Sequence, residues 1–346
     1  MGAASWTQSK DLGGMMAKHL ILIHGRSSKP AQAEKARLAE LALRHGLARV
    51  DPTLPSTIGT GVKLSFVYYG DVSNRLLLEH DPDRWRLELT ALDPENGDAP
   101  CEPPGSYDKD LGEMLKQEDF SLSAYKDFLA KTRDRRGLDE LARIASWIGS
   151  FTGLSDRIIS RATPDMGAYL LTRKVGSEIR GRLQTVLSSA LLAGDDICVV
   201  SHSMGCIVTY DVLWKLAQMS EYAEVQEAKN KLTRWATIGC PLGEPGVQEL
   251  LYDSNERGEG RYPRNLIGHW INIAARDDFV SHDASVANDF REFAETDDIR
   301  IEDLPRIHTF WSGRDGANPH KLYGYLDNPT VAGSLADWIK SPGGGG

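Results

Sequence analysis

Residues 197–213 read ICVVSHSMGCIVTYDVL, and this stretch restricts the fold more tightly than any other part of the chain. Ile197 to Val200 have the continuous hydrophobicity of a strand covered on both faces. From Cys206 the run CIVTYDVLWKLAQM spaces its apolar residues for a helix. Only Ser201, His202, Ser203, Met204 and Gly205 lie between, so the strand must enter the helix through a sharp turn. A strand buried on both faces requires neighbours of the same kind and helices to cover them.

The rest of the chain supplies both. HLILIHG (19–25), VKLSFVYYG (62–70), WATIGCP (235–241), LIGHWINIAAR (266–276) and RIHTFWS (306–312) read as further strands. Helical spacing covers residues 30–46, 167–193 and 329–340, the last opening on Pro329 and Thr330. The alternation predicts an α/β fold with a mostly parallel central sheet flanked by helices. Residues 17–340 are read as a single domain, with 1–16 and 341–346 as flexible ends. Within it, residues 71–166 carry too many breakers for sheet and are read as a helical or loop cap insertion. Its segment 138–160 has an apolar stripe including Trp147 and Phe151, which fits either a cap over a site or a helix pair packed on the sheet.

Composition removes several function classes. The net charge is −9 and the basic residues are scattered, so a nucleic-acid partner is not expected. No apolar run approaches the ~18 residues of a membrane span, and the N-terminus lacks the apolar core of a secretory signal. Cys101, Cys198, Cys206 and Cys240 show neither C-x-x-C pairing nor zinc spacing, so a reduced, cytoplasmic protein without a metal or other cofactor is expected. HGRSSKP after the first strand lacks G-x-G-x-x-G, which removes a Rossmann-type nucleotide binder. Nothing in the sequence sets an oligomeric state.

The turn itself carries the chemistry. A serine hydroxyl is a poor nucleophile until a base takes its proton, and the attacked carbonyl needs donors for its oxyanion. A strand-to-helix turn lifts a serine out of the sheet and aims backbone N–H groups at that charge, provided small residues stand two positions either side. Ser203 meets this, with Gly205 after it and Ser201 in place of the usual glycine before it. Ser201 is read as a small residue only, so Ser201→Gly is expected to leave turnover largely intact. Ser201 is excluded as the elbow serine by Val199 and Ser203 at its own flanks, and His202 is read as a bystander beside the turn.

HLILIHGR, VVSHSMG, RDDFV and NPHKLYGYLDNPTVAGSLADWI, in that order, resemble the α/β-hydrolase superfamily, esterase- or lipase-like. The resemblance implies an α/β-hydrolase fold and a triad in the chain order nucleophile, acid, histidine. The base is then His320, in the loop after the last strand, while His308 is read as a core or edge histidine inside that strand. The family's Asp-x-Val pattern matches Asp278-Phe279-Val280, with Asp277 as runner-up and Asp283 third. His24-Gly25-Arg26 is similar to the family's His-Gly turn, which makes the N–H groups of Arg26 and Met204 the expected oxyanion donors. His24, Gly25 and Gly205 would support them, and the Arg26 side chain either greets an acidic substrate group or is solvated. The implied activity is hydrolysis of a small-molecule carboxylic ester through an acyl-enzyme. A thioesterase, amidase or acyltransferase would use the same triad, and a catalytically silent binding module is the more distant reading.

Overall fold

A computed structural model describes residues 16–26, 29–80, 82–83, 164–276, 278–281, 285–309, 312–313, 316–317 and 319–342. Its centre is an open parallel sheet of strands β1 (Lys18–Ile23), β2 (Val62–Val67), β3 (Asp196–His202), β4 (Leu232–Ile238), β5 (His269–Ala275) and β6 (Arg300–Ile307). All five pairings are parallel, in the order β2-β1-β3-β4-β5-β6. The helices that bear on the site are α1 (Gln32–Val50), α2 (Gly70–His80), α3 (Pro164–Leu171), α4 (Arg173–Ala193), α5 (Met204–Gln218), α6 (Leu322–Leu326) and α7 (Pro329–Lys340).

The unbroken apolar strands are explained by helices on both faces. Leu20, Leu22, Cys198, Val200, Ile271 and Ile273 pack in one core with residues of α1, α6 and α7. Their alternates Ile21, Ile23, Ile197 and Val199 join Trp235, Trp270 and residues of α3, α4 and α5 in the other. Because β1 lies between β2 and β3, the chain reverses its winding there. A crevice outside the carboxyl ends of β1 and β3 is where such sheets hold their ligands.

Several boundaries differ from the sequence reading. The second strand stops at Val67, and Tyr68 and Tyr69 lead into α2, whose Val72 packs in the core. The helix expected over 167–193 is two, broken where Thr172 turns extended at φ −113°, ψ 107°. The last strand of this sheet is Arg300–Ile307, not 306–312, and Ser312–Gly313 pairs with Gly316–Ala317 in a separate two-stranded sheet. Pro305 and the charges of IRIEDLPRI disguise β6, but it is an edge strand, where proline removes no shared hydrogen bond and a register shift absorbs it. The apolar stripe 138–160, the rest of segment 84–163 with Cys101, and the terminal stretches 1–15 and 343–346 lie outside the described residues. Among the described residues no helix is long and apolar enough to cross a membrane.

A buried polar cluster fixes α5 against α3 and α4. Asp211 accepts the Tyr169 hydroxyl at 2.6 Å and the Tyr252 N–H at 3.3 Å, with Arg180 Nη1 3.9 Å away. The Arg180 guanidinium lies over the rings of Tyr252 and Tyr169, at 4.4 and 5.2 Å. Burial raises the Asp211 carboxyl to about 6, and the Tyr169 hydroxyl, Arg180 and the Tyr252 N–H only partly oppose it. The folded protein therefore holds this proton more tightly than the unfolded chain, where the value is 3.8. The resulting stability is full below that value and is lost as pH rises through about 6. Asp211→Asn, which keeps the group neutral, should gain stability relative to the parent protein as pH is raised from 4 to 7 in urea unfolding. A constant difference across that range would show that Asp211 does not titrate there.

Candidate active site

Ser203 follows β3 and stands at the N-cap of α5 with φ 55° and ψ −125°, a backbone conformation that residues with a Cβ adopt only under constraint. Its N–H donates to the Ile238 carbonyl of β4 at 3.2 Å, and its own carbonyl accepts the Cys206 N–H at 2.9 Å. Two glycines make the turn possible by close approach. A Cβ on Gly205 would stand 2.7 Å from the His24 carbonyl oxygen, and one on Gly25 would stand 2.7 Å from Ser203 Cβ and 3.2 Å from its Oγ. The exit of β1 and the entry of α5 therefore touch backbone to backbone, with the serine hydroxyl beside the contact.

The structure brings Ser203, His320 and Asp278 together from the turn after β3, the stretch before α6 and the loop after β5. His320 Nε2 is 2.9 Å from Ser203 Oγ, and His320 Nδ1 is 2.9 Å from Asp278 Oδ2. The carboxylate can only accept from Nδ1–H, which leaves Nε2 bare to take the serine proton. His320 keeps 13% of its side chain accessible and Asp278 keeps none, so the imidazole faces outward and the carboxylate stands behind it. Burial alone would push the Asp278 carboxyl up. The charge and hydrogen bond of His320, the Tyr325 hydroxyl and the Val280 N–H outweigh it and hold the group below the usual carboxylate range.

Three participants escaped the sequence reading. Tyr325, on α6, donates its hydroxyl to Asp278 Oδ2 at 2.6 Å and accepts the Ala275 N–H at 2.9 Å. Gly239, just after β4 with φ +54°, lies so close that a Cβ there would stand 3.0 Å from Asp278 Oδ2 and from His320 Nδ1. His202 is not a bystander, since its Nε2 lies 2.7 Å from the His320 carbonyl oxygen. The tyrosine and the glycine stood in plain view, in HKLYGYL and TIGCP, but nothing in either string says that it meets the acid.

Before the turn, His24 is buried with a fixed tautomer. The Tyr69 N–H donates to its Nε2 at 3.1 Å, so the proton sits on Nδ1, which donates to the Gly25 carbonyl at 2.6 Å. Its ring stacks on Tyr69 at 4.1 Å, and the Tyr69 hydroxyl donates to its carbonyl at 2.5 Å. Asn74 of α2 clamps the chain farther on, accepting the Lys29 N–H at 2.9 Å and donating to the Lys29 carbonyl at 2.8 Å. The Arg26 carbonyl accepts Lys29 Nζ at 2.5 Å. Met204 is the first residue of α5, where backbone N–H groups have no partner within the helix.

The other candidates fall away from this group or outside the description. Asp277 and Asp283 lie outside the described residues, while His308 is exposed one residue beyond β6 rather than held within a strand. Among the described residues no three His, Cys, Asp or Glu side chains converge as a metal site requires.

Ser201 is more than a small residue. Its Oγ accepts the Trp235 indole N–H at 2.9 Å and lies 2.8 Å from Thr209 Oγ1, whose hydroxyl donates to the Gly205 carbonyl at 2.8 Å. The carbonyl can only accept, so the chain of donors runs from Trp235 through Ser201 and Thr209 into the glycine of the turn. Ser201→Gly should therefore lower unfolding stability by about 1–3 kcal/mol, the cost of leaving a buried indole N–H unpaired, as read in urea denaturation. Unchanged stability would return Ser201 to the purely steric role.

No family model matches the chain, and neither the curated proteins nor the solved structures compared with it give a match.

Proposed function

We propose that this chain is a serine hydrolase of the α/β-hydrolase kind, which cleaves carboxylic esters through an acyl-enzyme on Ser203. The observation that carries this reading is the continuous relay Ser203–His320–Asp278, with both hydrogen bonds at 2.9 Å and the serine on a strained strand-to-helix turn. The strand order β2-β1-β3-β4-β5-β6 is not that family's full standard order, and the reading is supported by the site geometry instead.

In this mechanism His320 Nε2 takes the hydroxyl proton as Ser203 Oγ bonds to the ester carbon. The carbonyl oxygen becomes an oxyanion, which the N–H groups of Met204 and Arg26 receive at the N-terminal end of α5. The imidazolium, stabilised by Asp278, returns its proton to the alkoxide as the bond to the leaving group breaks. Water then repeats the sequence on the acyl-serine and releases the acid. Thioesters, amides and acyl acceptors other than water would pass through the same steps. A cytoplasmic setting is supported by Cys198, Cys206 and Cys240, all buried and unpaired.

A fluorophosphonate probe with peptide mapping, and a chain-length series of p-nitrophenyl esters, test the proposal. Ser203 should be the labelled residue, and Ser203→Ala should lose ester hydrolysis by roughly 10³-fold or more. Hydrolysis at the parental rate by Ser203→Ala would overturn it. Tyr325→Phe removes one donor to the acid and should lower kcat by about 10-fold with little change in KM, the scale of one charge-assisted hydrogen bond.

A further inference from the structure

We infer that His202 is a positioning residue, whose ring holds the base loop so that His320 Nε2 stays within reach of Ser203 Oγ. The inference rests on the serine-hydrolase reading above and adds a fourth side chain to it. The His320 carbonyl oxygen can only accept, so His202 carries its proton on Nε2 and donates it across 2.7 Å. His202 and Ser203 share a peptide bond. The hydrogen bonds His202–His320 and His320–Ser203 therefore close a small ring, through which the nucleophile's own turn fixes the main chain of its base. The two imidazole rings also pack at 4.8 Å between centroids, which sets the plane of His320.

Stability alone does not account for a histidine here. With the proton on Nε2, Nδ1 is a bare acceptor; it is buried and has no hydrogen-bond partner among the described residues. It faces Gly25, where a Cβ would stand 3.0 Å away. An unpaired buried acceptor is unfavourable, and a phenylalanine of similar shape would avoid it. What phenylalanine lacks is the donor to the His320 carbonyl. Burial first, and then the nearby His320, Lys35 and Lys29 charges, keep His202 well below the usual histidine range, with only the bond to the His320 carbonyl opposing them. A neutral ring leaves room for positive charge on the base during attack.

The test compares His202→Gln, His202→Asn and His202→Phe in the full-length protein, using p-nitrophenyl ester kinetics and the rate of fluorophosphonate labelling, with melting temperatures recorded alongside. Glutamine places an amide N–H near the position of Nε2, whereas asparagine is one methylene short. His202→Gln should retain most of kcat and of the labelling rate. His202→Asn and His202→Phe should lose about 10- to 100-fold in both, with KM little changed, as expected when a catalytic group is displaced by about 1 Å. Equal rates in the glutamine and asparagine variants, or parental rates in a folded His202→Phe, would overturn the positioning role. Absence of labelling and hydrolysis in the parent protein would instead overturn the serine-hydrolase reading, so the two failures are distinct.

Discussion

Ser203 sits at φ 55° and ψ −125°, and β1, β4 and α5 are arranged so as to hold it there. A non-glycine residue in so sparsely populated a conformation costs on the order of 1–3 kcal/mol and persists only where its surroundings over-determine it. Here they do so from every side. β4 holds its N–H through Ile238, α5 holds its carbonyl through Cys206, and β1 passes so close that only glycine fits at positions 25 and 205. The indole of Trp235 adds a buried chain of donors ending on the Gly205 carbonyl. A turn held this firmly presents its hydroxyl at one place, and two loops converge on that place.

The convergence is electrostatic as well as geometric. Asp278 is a carboxylate without solvent, and such a group stays ionised only when donors replace water. His320 supplies one, Tyr325 a second and the Val280 N–H a third. The carboxylate is thereby held ionised and keeps its hydrogen bond from the imidazole N–H. Tyr325 is in turn oriented by the Ala275 N–H at the end of β5, so the sheet reaches the acid through a phenol as well as through its own loop.

Much of this was legible in the sequence because period and order are local properties. β1, β3, α5 and α7 follow from apolar runs and their stops; Ser203 stands between β3 and α5, Asp278 just beyond β5, and His320 between β6 and α6. What the string hides are contacts between distant residues. Tyr325 reaches Asp278 across 47 positions and His202 reaches His320 across 118, and no spacing rule connects either pair. Edge position hides β6, since Pro305 and its charges read as loop until a sheet with one free side is present. Ser201 was legible in size but not in hydrogen bonding, because its partner Trp235 belongs to the next strand.

Asn328 links the site to the end of the chain. Its side-chain oxygen caps α7 by accepting the Thr330 N–H at 2.8 Å, while its amide donates to the His308 carbonyl at 2.7 Å. At its far end α7 is bolted to the amino ends of β1 and β3, where Trp338 donates to Asp196 at 2.8 Å and Lys18 bridges Asp196 and the Trp338 carbonyl. The stretch that carries His320 is thus closed at its base by the Asn328–His308 bond, and α7, which follows it, is anchored at both ends. Loss of the α7 contacts would loosen the stretch that carries His320 while the Ser203 turn kept its own hydrogen bonds to β4 and α5.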